Sequence, residues 1–132
     1  MVKVAFVCIH NSCRSQMAEG YLKKLGKDLF EVYSAGTEDY PEVKPKAVLA
    51  MNLDDVDISN HYPKKLNVLP KKLDYLITMG CGVECPYVPT KNREDWNLED
   101  PSGGPLEDFI RTRNLIKERV LDLIDRVQKE RQ

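Results

Sequence analysis

Lys3-Val4-Ala5-Phe6-Val7-Cys8 is a short apolar run rich in β-forming residues, and it leads straight into a polar loop, Ile9-His10-Asn11-Ser12-Cys13-Arg14. Ser15 follows, where it can cap a helix whose apolar stripe is Ala18, Leu22 and Leu25 and whose stop is Gly26. A buried parallel strand that feeds a helix through a tight loop restricts the chain to few architectures. The remaining sequence keeps that alternation. Residues 30–35 read as a second strand closed by Gly36. Residues 45–53 read as a second helix, with Ala47, Val48, Ala50 and Met51 available to a core. Residues 73–79 form a third strand. Residues 80–104 are mostly loop, with a short fourth strand at 94–98. One long helix runs from Pro105 to about Lys129, its apolar face made by Phe109, Ile110, Leu115, Ile116, Val120, Leu121, Leu123, Ile124 and Val127. Strands alternating with helices predict an α/β fold, a single three-layer domain over residues 1–132 with a parallel sheet covered on both faces.

The chain has 132 residues, enough to bury a core without disulfide or metal staples. Twenty basic residues nearly balance twenty-one acidic ones, for a net charge of −1. That argues against DNA or an anionic membrane as a bulk partner, while leaving room for a local anion site. No apolar run approaches a membrane span, and the N-terminus has no apolar stretch followed by a small-residue cleavage site. The expected compartment is therefore the reducing cytoplasm. Four cysteines there point to catalysis, redox chemistry or metal rather than to a disulfide framework.

The loop carries the chemistry. Cys8, five residues, Arg14 and Ser15 sit between a strand and a helix start. Backbone N–H groups of such a loop converge on one point, and the helix N-terminus adds positive potential. Arg14 can fork onto two oxygens of a tetrahedral oxyanion. Cys8 lies in that field, which favours its thiolate, and Ser15 can donate a hydrogen bond to the sulfur. Ligands of open α/β sheets bind beyond the carboxyl ends of the strands. Cys8 ends the first strand and Met79-Gly80-Cys81 ends the third, so separate stretches of chain deliver thiols to one edge.

Cys8-Ile-His-Asn-Ser-Cys-Arg-Ser-Gln-Met-Ala-Glu-Gly20 resembles the phosphate loop of the low-molecular-weight tyrosine phosphatases and of the arsenate reductases that share their fold. Ser34-Ala35-Gly36-Thr37, Asp57-Ile58-Ser59-Asn60-His61 and Asp100-Pro101 match as well, in the same order along nearly the whole chain. The resemblance implies a four-stranded parallel sheet flanked by helices. It implies an oxyanion loop over Ile9, His10, Asn11, Ser12, Cys13, Arg14 and Ser15, with Asp100 as the general acid. A carboxyl beside an anion site can be kept protonated by burial and negative charge. Some reductases of the family bind potassium, and the matching positions are Asn11, Glu19, Ser34 and Asp57.

Phosphoryl transfer in this loop needs one cysteine, whereas reducing arsenate to arsenite takes two electrons and hence a dithiol. Cys81-Gly82-Val83-Glu84-Cys85-Pro86 lies where thioredoxin-coupled reductases of the family carry a cysteine pair. The resemblance thus implies a relay from Cys8 to Cys81 to Cys85, reset by an external thiol system. That system is thioredoxin, or a low-molecular-weight thiol with a glutaredoxin-type protein. The three-residue gap between Cys81 and Cys85 is shorter than in the thioredoxin-coupled members, and the Met79-Gly80-Cys81-Gly82 form looks more like those served by small thiols. Gly80 and Gly82 offer Cys81 backbone freedom to move inward. Ser102-Gly103-Gly104 leaves an open rim where the phosphatases carry a tyrosine pair, although Tyr40 lies near the position of their aromatic lid.

The alternative is a tyrosine phosphatase working through a Cys8 phosphoenzyme, and a third reading is a non-catalytic oxyanion or redox-sensing module. Cys13 reads as a small filler that could pair with Cys8 under oxidation. Zinc is disfavoured because Arg14 would repel a cation. No tightly bound cofactor, no nucleic acid and no membrane partner are expected, and the chain is read as a monomer. His10 and His61 read as hydrogen-bonding residues, and the Lys-Lys pairs at 23–24, 64–65 and 71–72 as solvated surface.

Overall fold

The computed structural model describes residues 1–80 and 88–131, so the readings of Cys81, Gly82 and Cys85 lie outside the described residues. Its strands are β1 (Val2–Cys8), β2 (Phe30–Gly36), β3 (Leu73–Thr78) and β4 (Thr90–Asp95), and its α-helices are α1 (Arg14–Gly26), α2 (Pro45–Asn52) and α3 (Leu106–Glu130). All strand pairs are parallel, in the order β2-β1-β3-β4. β1 is central, with Val4 opposite Val32 on one side and Tyr75 on the other. A parallel neighbour requires a crossover, and α1 with a 3-10 turn at Lys27–Leu29 carries the chain from β1 to β2.

Side chains alternate across the sheet. Val4, Phe6 and Cys8 join Met17, Ala18, Met51, Phe109, Ile116 and Val120 in the large core beneath the three α-helices. Ala5 and Val7 join Leu73 and Leu76 in a smaller cluster covered by Tyr33, Leu66, Leu69 and Val88, around a second 3-10 turn at Leu66–Val68. Both faces of β1 are thus buried from Val4 to Cys8, which explains the unbroken apolar sequence of that stretch.

Three sequence readings change. First, α1 begins at Arg14 with Cys13 as its N-cap and no side-chain cap. Ser15 does not cap, because its hydroxyl is engaged by Cys8 and Asn11. Second, the fourth strand lies at Thr90–Asp95 rather than 94–98. It is an edge strand of polar residues that pairs only with β3, so it carries no apolar signal and its charges discourage further pairing. The apolar signal belongs to Trp96 and Leu98 just beyond it, both buried, with the Trp96 ring 5.5 Å from that of Phe6. Third, Leu115 and Leu121 are exposed. α3 packs through one face, Phe109, Thr112, Ile116, Val120, Leu123, Ile124 and Val127, and Leu115 and Leu121 fall outside it.

Gly36, at the end of β2, is a steric requirement. A β-carbon there would lie 2.7 Å from the Ile9 carbonyl oxygen, 2.8 Å from the His10 carbonyl carbon and 2.9 Å from the Asn11 nitrogen. All three are backbone atoms of the Cys8–Arg14 loop and cannot rotate away. Gly36→Ala is expected to destabilise the fold by about 1–3 kcal/mol and to slow alkylation of Cys8. Thermal unfolding together with timed iodoacetamide labelling checks this; wild-type values of both would mean that the approach is not tight.

Candidate active site

Cys8 is the last residue of β1 and is buried. Its Sγ lies 2.8 Å from Ser15 Oγ and accepts a 3.2 Å hydrogen bond from the Asn11 N–H. Asn11 Nδ2 in turn donates to Ser15 Oγ at 2.8 Å. An amide NH₂ has no lone pair to offer, so Ser15 receives from Asn11 and directs its own hydrogen toward the sulfur. The sulfur therefore sits among hydrogen-bond donors at the N-terminal end of α1.

The carbonyl groups of the loop are taken up around its outside. Cys8 O accepts from Thr37 N, Ile9 O from Glu38 N, Ser12 O from Lys44 N and Cys13 O from Met17 N. Asn11 O accepts from Gln16 Nε2 at 3.1 Å. In a trans peptide the N–H points opposite its carbonyl, and no peptide in the described residues is cis. The outward carbonyls thus turn the intervening N–H groups toward the inside. There a small cavity of about 60 Å³ is lined by Cys8, Ile9, His10, Ser12, Cys13, Arg14 and Asp100. A wider cleft of about 560 Å³ is lined by Ile9, Arg14, Gly80, Asn97, Leu98, Glu99 and Asp100.

Arg14, the first residue of α1, is buried. Its Nη1 donates to the carbonyls of Met79 and Leu98, and its Nη2 stands 3.8 Å from Asp100 Oδ2. Two carbonyls from separate loops thus hold one side of the guanidinium, and the other side faces the carboxylate. Gly80 takes a left-handed conformation (φ +77°), and a β-carbon on it would meet the Leu98 nitrogen at 2.7 Å. Its N–H donates to Asp95 Oδ1 at 2.7 Å.

Asp100 is half exposed, and its Oδ1 accepts from the Ser102 N–H at 3.0 Å. Burial favours the protonated form of its carboxyl. The Ser102 side-chain and backbone hydrogen bonds and the charges of Arg14 and Lys44 outweigh burial and hold the carboxyl below the usual range. This corrects the expectation of a carboxyl kept protonated by its surroundings: with no anion bound, Asp100 is a carboxylate. Cys13 is buried, and burial, reinforced by the charges of Asp100 and Cys8, pushes its thiol up. That fits a filler rather than a second nucleophile. At the rim, His10 stacks on Tyr40 with ring centres 4.8 Å apart, and its Nε2 lies 3.4 Å from Glu38 Oε1. Lys44 also holds Tyr40, with its Nζ 4.5 Å from the ring centre and bonded to the hydroxyl.

A brace behind the loop was not legible in the sequence. Gln16 Nε2 donates to Asn11 Oδ1 at 2.9 Å and to Tyr62 O at 2.9 Å, leaving Gln16 Oε1 to face His61 Nδ1 at 3.0 Å. His61 thus carries its proton on Nδ1. Burial lowers its proton affinity in the fold, against the opposing charge of Glu19. The neutral ring belongs to the native state, so the stability that this contributes is present above the unfolded value near 6.5. It is lost as pH falls below that value, because the unfolded chain takes up the proton more readily. The wild-type Tm is expected to fall more steeply between pH 7.5 and 5.5 than that of His61→Gln. Parallel curves would sink this assignment.

The oxygen atoms at the four candidate potassium positions have protein partners in the structure. Ser34 Oγ donates its hydrogen to Glu19 Oε1. The Glu19 carboxylate already faces Lys23 Nζ at 2.5 Å and Lys64 Nζ at 3.7 Å. Asn11 Oδ1 accepts from Gln16 and from the Lys64 N–H. Asp57 stays at the surface, where its Oδ1 accepts from the Ser59 N–H. Two ammonium groups supply the positive charge that such donors would otherwise seek. Lys64 is accordingly not solvated surface, as its sequence pair suggested: its side chain is only 17% exposed, whereas that of Lys65 is 53% exposed. Among the described residues no cluster of His, Cys, Asp and Glu could hold a metal ion, and no helix is long and apolar enough to cross a membrane.

A strand-end cysteine facing an arginine across a loop of inward N–H groups, at the carboxyl edge of a parallel sheet, is the oxyanion site of a cysteine-dependent phosphatase class. Comparison with known proteins agrees: residues 3–132 match the family described as low molecular weight phosphotyrosine protein phosphatase, and the chain belongs to that family. Within it, the chain is 42% identical to an arsenate reductase of Staphylococcus aureus (strain Newman) over 118 residues, covering 86% of this chain and 89% of that one. It is 44% identical to the glutaredoxin arsenate reductase of a Synechocystis species over 131 residues, covering 96% and 99%. Among solved structures it is similar to an arsenate reductase in its phosphate-binding state, with a TM-score of 0.88, 43% identity and 96% and 98% of the two chains covered.

Proposed function

We propose that this chain, acting as a monomeric single domain over residues 1–132 in the reducing cytoplasm, reduces arsenate to arsenite through Cys8, Cys81 and Cys85. The observation that carries the reading is the position of Gly80. It lines the wider cleft to which Arg14 and Asp100 also contribute, so the residue next in sequence to Cys81 stands in the cleft beside the oxyanion cavity. The similarity to arsenate reductases along most of the chain supports it.

Arsenate enters the loop with its oxygens toward the N–H groups and Arg14. Cys8 Sγ attacks arsenic, an As–S bond forms, and a hydroxyl leaves as water once protonated. An arriving dianion raises the proton affinity of the Asp100 carboxylate, which lets Asp100 supply that proton although it is ionised in the free enzyme. The Cys81 thiolate then attacks Cys8 Sγ. The sulfur–sulfur bond forms, the As–S electron pair passes to arsenic, and arsenite departs as As(III). Cys85 attacks Cys81, freeing the Cys8 thiolate and leaving a Cys81–Cys85 disulfide for an external dithiol to reduce. The Synechocystis relative is named for glutaredoxin, which favours a glutaredoxin-type system over thioredoxin here.

Reduced protein incubated with arsenate and no external reductant, then acid-quenched and mapped by mass spectrometry, tests the relay. A new Cys81–Cys85 bond with about one equivalent of arsenite, the stoichiometry of one dithiol, is the expected result. No disulfide and no arsenite would overturn the relay. A second reading, hydrolysis of aryl phosphates through a Cys8 phosphoenzyme, has a specific support: Cys8, Arg14 and Asp100 line one small cavity. It fits best as a weak side activity.

A further inference from the structure

We propose that Lys64 is the built-in cation of the catalytic loop, a positioning residue that neutralises the buried Glu19 carboxylate and holds Asn11 in the conformation that serves Cys8. The argument starts from Glu19. Its side chain is 6% exposed and sits on α1 behind the loop, hydrogen-bonded by Ser34 of β2. A buried carboxylate needs a compensating charge or it reorganises its surroundings. Lys23 supplies one from the outer face of α1, where its own side chain is half in solvent. Lys64 supplies the other from inside. Its Nζ is 3.7 Å from Glu19 Oε1, donates to Tyr62 O at 3.0 Å and lies 5.1 Å from the centre of the Tyr62 ring.

The backbone of the same residue reaches the site from both sides. Lys64 N–H donates to Asn11 Oδ1 at 2.9 Å, and Lys64 O accepts from the Gly36 N–H at 2.7 Å. Asn11 is a non-glycine residue in the left-handed region (φ +55°), a conformation that persists only where its surroundings enforce it. Its N–H bonds the Cys8 sulfur and its side chain bonds Ser15. The route from the ammonium to the nucleophile is therefore short and continuous: Glu19 and Lys64 lock the segment at 62–65 against α1 and β2, Lys64 N–H orients Asn11, and Asn11 orients Ser15 and Cys8.

The test uses the full-length reduced protein and reads the second-order rate of Cys8 alkylation by iodoacetamide, which does not depend on arsenate chemistry. Lys64→Met is expected to slow alkylation by about ten- to a hundredfold, the scale on which a small misplacement of a reacting group acts. Lys64→Arg keeps the charge and restores most of the rate. The double variant Glu19→Gln with Lys64→Met removes the charge that Lys23 alone is left to balance from the outer face, and recovers much of what Lys64→Met lost, a coupling that a double-mutant cycle measures. This variant also keeps the test open where Lys64→Met alone fails to fold. Lys65→Met, at the exposed neighbour, leaves the rate unchanged. The wild-type rate is the same in potassium chloride and in tetramethylammonium chloride at equal ionic strength. A wild-type rate for Lys64→Met, a double variant no faster than Lys64→Met, or a wild-type rate that rises with potassium would each overturn the proposal. The relay proposed above stands or falls separately, on the disulfide map.

Discussion

Cys8→Ser protein is expected to lose arsenate reduction and aryl phosphate hydrolysis together, each by at least about 10⁴-fold, the scale of loss when an attacking nucleophile is removed. The substitution is close to isosteric, and Ser15 and Asn11 keep their places around the new hydroxyl. A serine hydroxyl is a much weaker acid than a thiol, so the surrounding donors do not generate an alkoxide there. The fold and the anion cradle remain, because the loop carbonyls are anchored through the backbone and Arg14 through Met79 and Leu98. Phosphate is therefore expected to bind the variant, measured by calorimetry, while rapid alkylation disappears. Retention of either activity at more than a trace would place the nucleophile elsewhere.

Cys81→Ser is expected to separate the two activities. Arsenate turnover falls to background, since the Cys8–arsenic adduct forms but no internal thiol attacks it. Aryl phosphate hydrolysis stays close to wild type, because a phosphoenzyme needs only water, Arg14 and Asp100. The arsenylated Cys8 adduct is expected to accumulate in a single turnover, visible by intact-mass measurement at low temperature. Equal loss of both activities would end the division of labour between one loop and two further thiols. Full arsenate turnover by Cys81→Ser with a small thiol present would mean that the external thiol attacks the Cys8 adduct directly.

The loop, its strand and its helix were legible from residue type and spacing alone. Val4 to Cys8 is buried on both faces and hence apolar throughout, and Cys8, Arg14 and Ser15 fall on one side of a strand–loop–helix turn for reasons of local geometry. The parallel order followed from the alternation of elements. β4 was not legible, because an edge strand with polar residues is specified by its partner β3 and by the charges it presents to solvent, not by an apolar pattern. The ionised state of Asp100 depends on Ser102 two residues on, but also on Arg14 and Lys44 from distant segments, so no local rule yields it.

What the sequence determined by itself is therefore the chemistry held within one stretch of chain: the nucleophile, the guanidinium and the N–H-lined loop between them. Backbone geometry over eight residues is a short-range matter, and residue identity suffices to specify it. The tertiary structure decided everything that needs partners from afar. It set Asp100 beside Arg14 across 86 positions of chain. It seated the brace of Gln16, His61 and Lys64 behind Asn11. It also made Lys64 an internal counter-charge while leaving its neighbour Lys65 in solvent. A lysine carries the same charge wherever it stands, and only packing determines whether water or a buried carboxylate receives it.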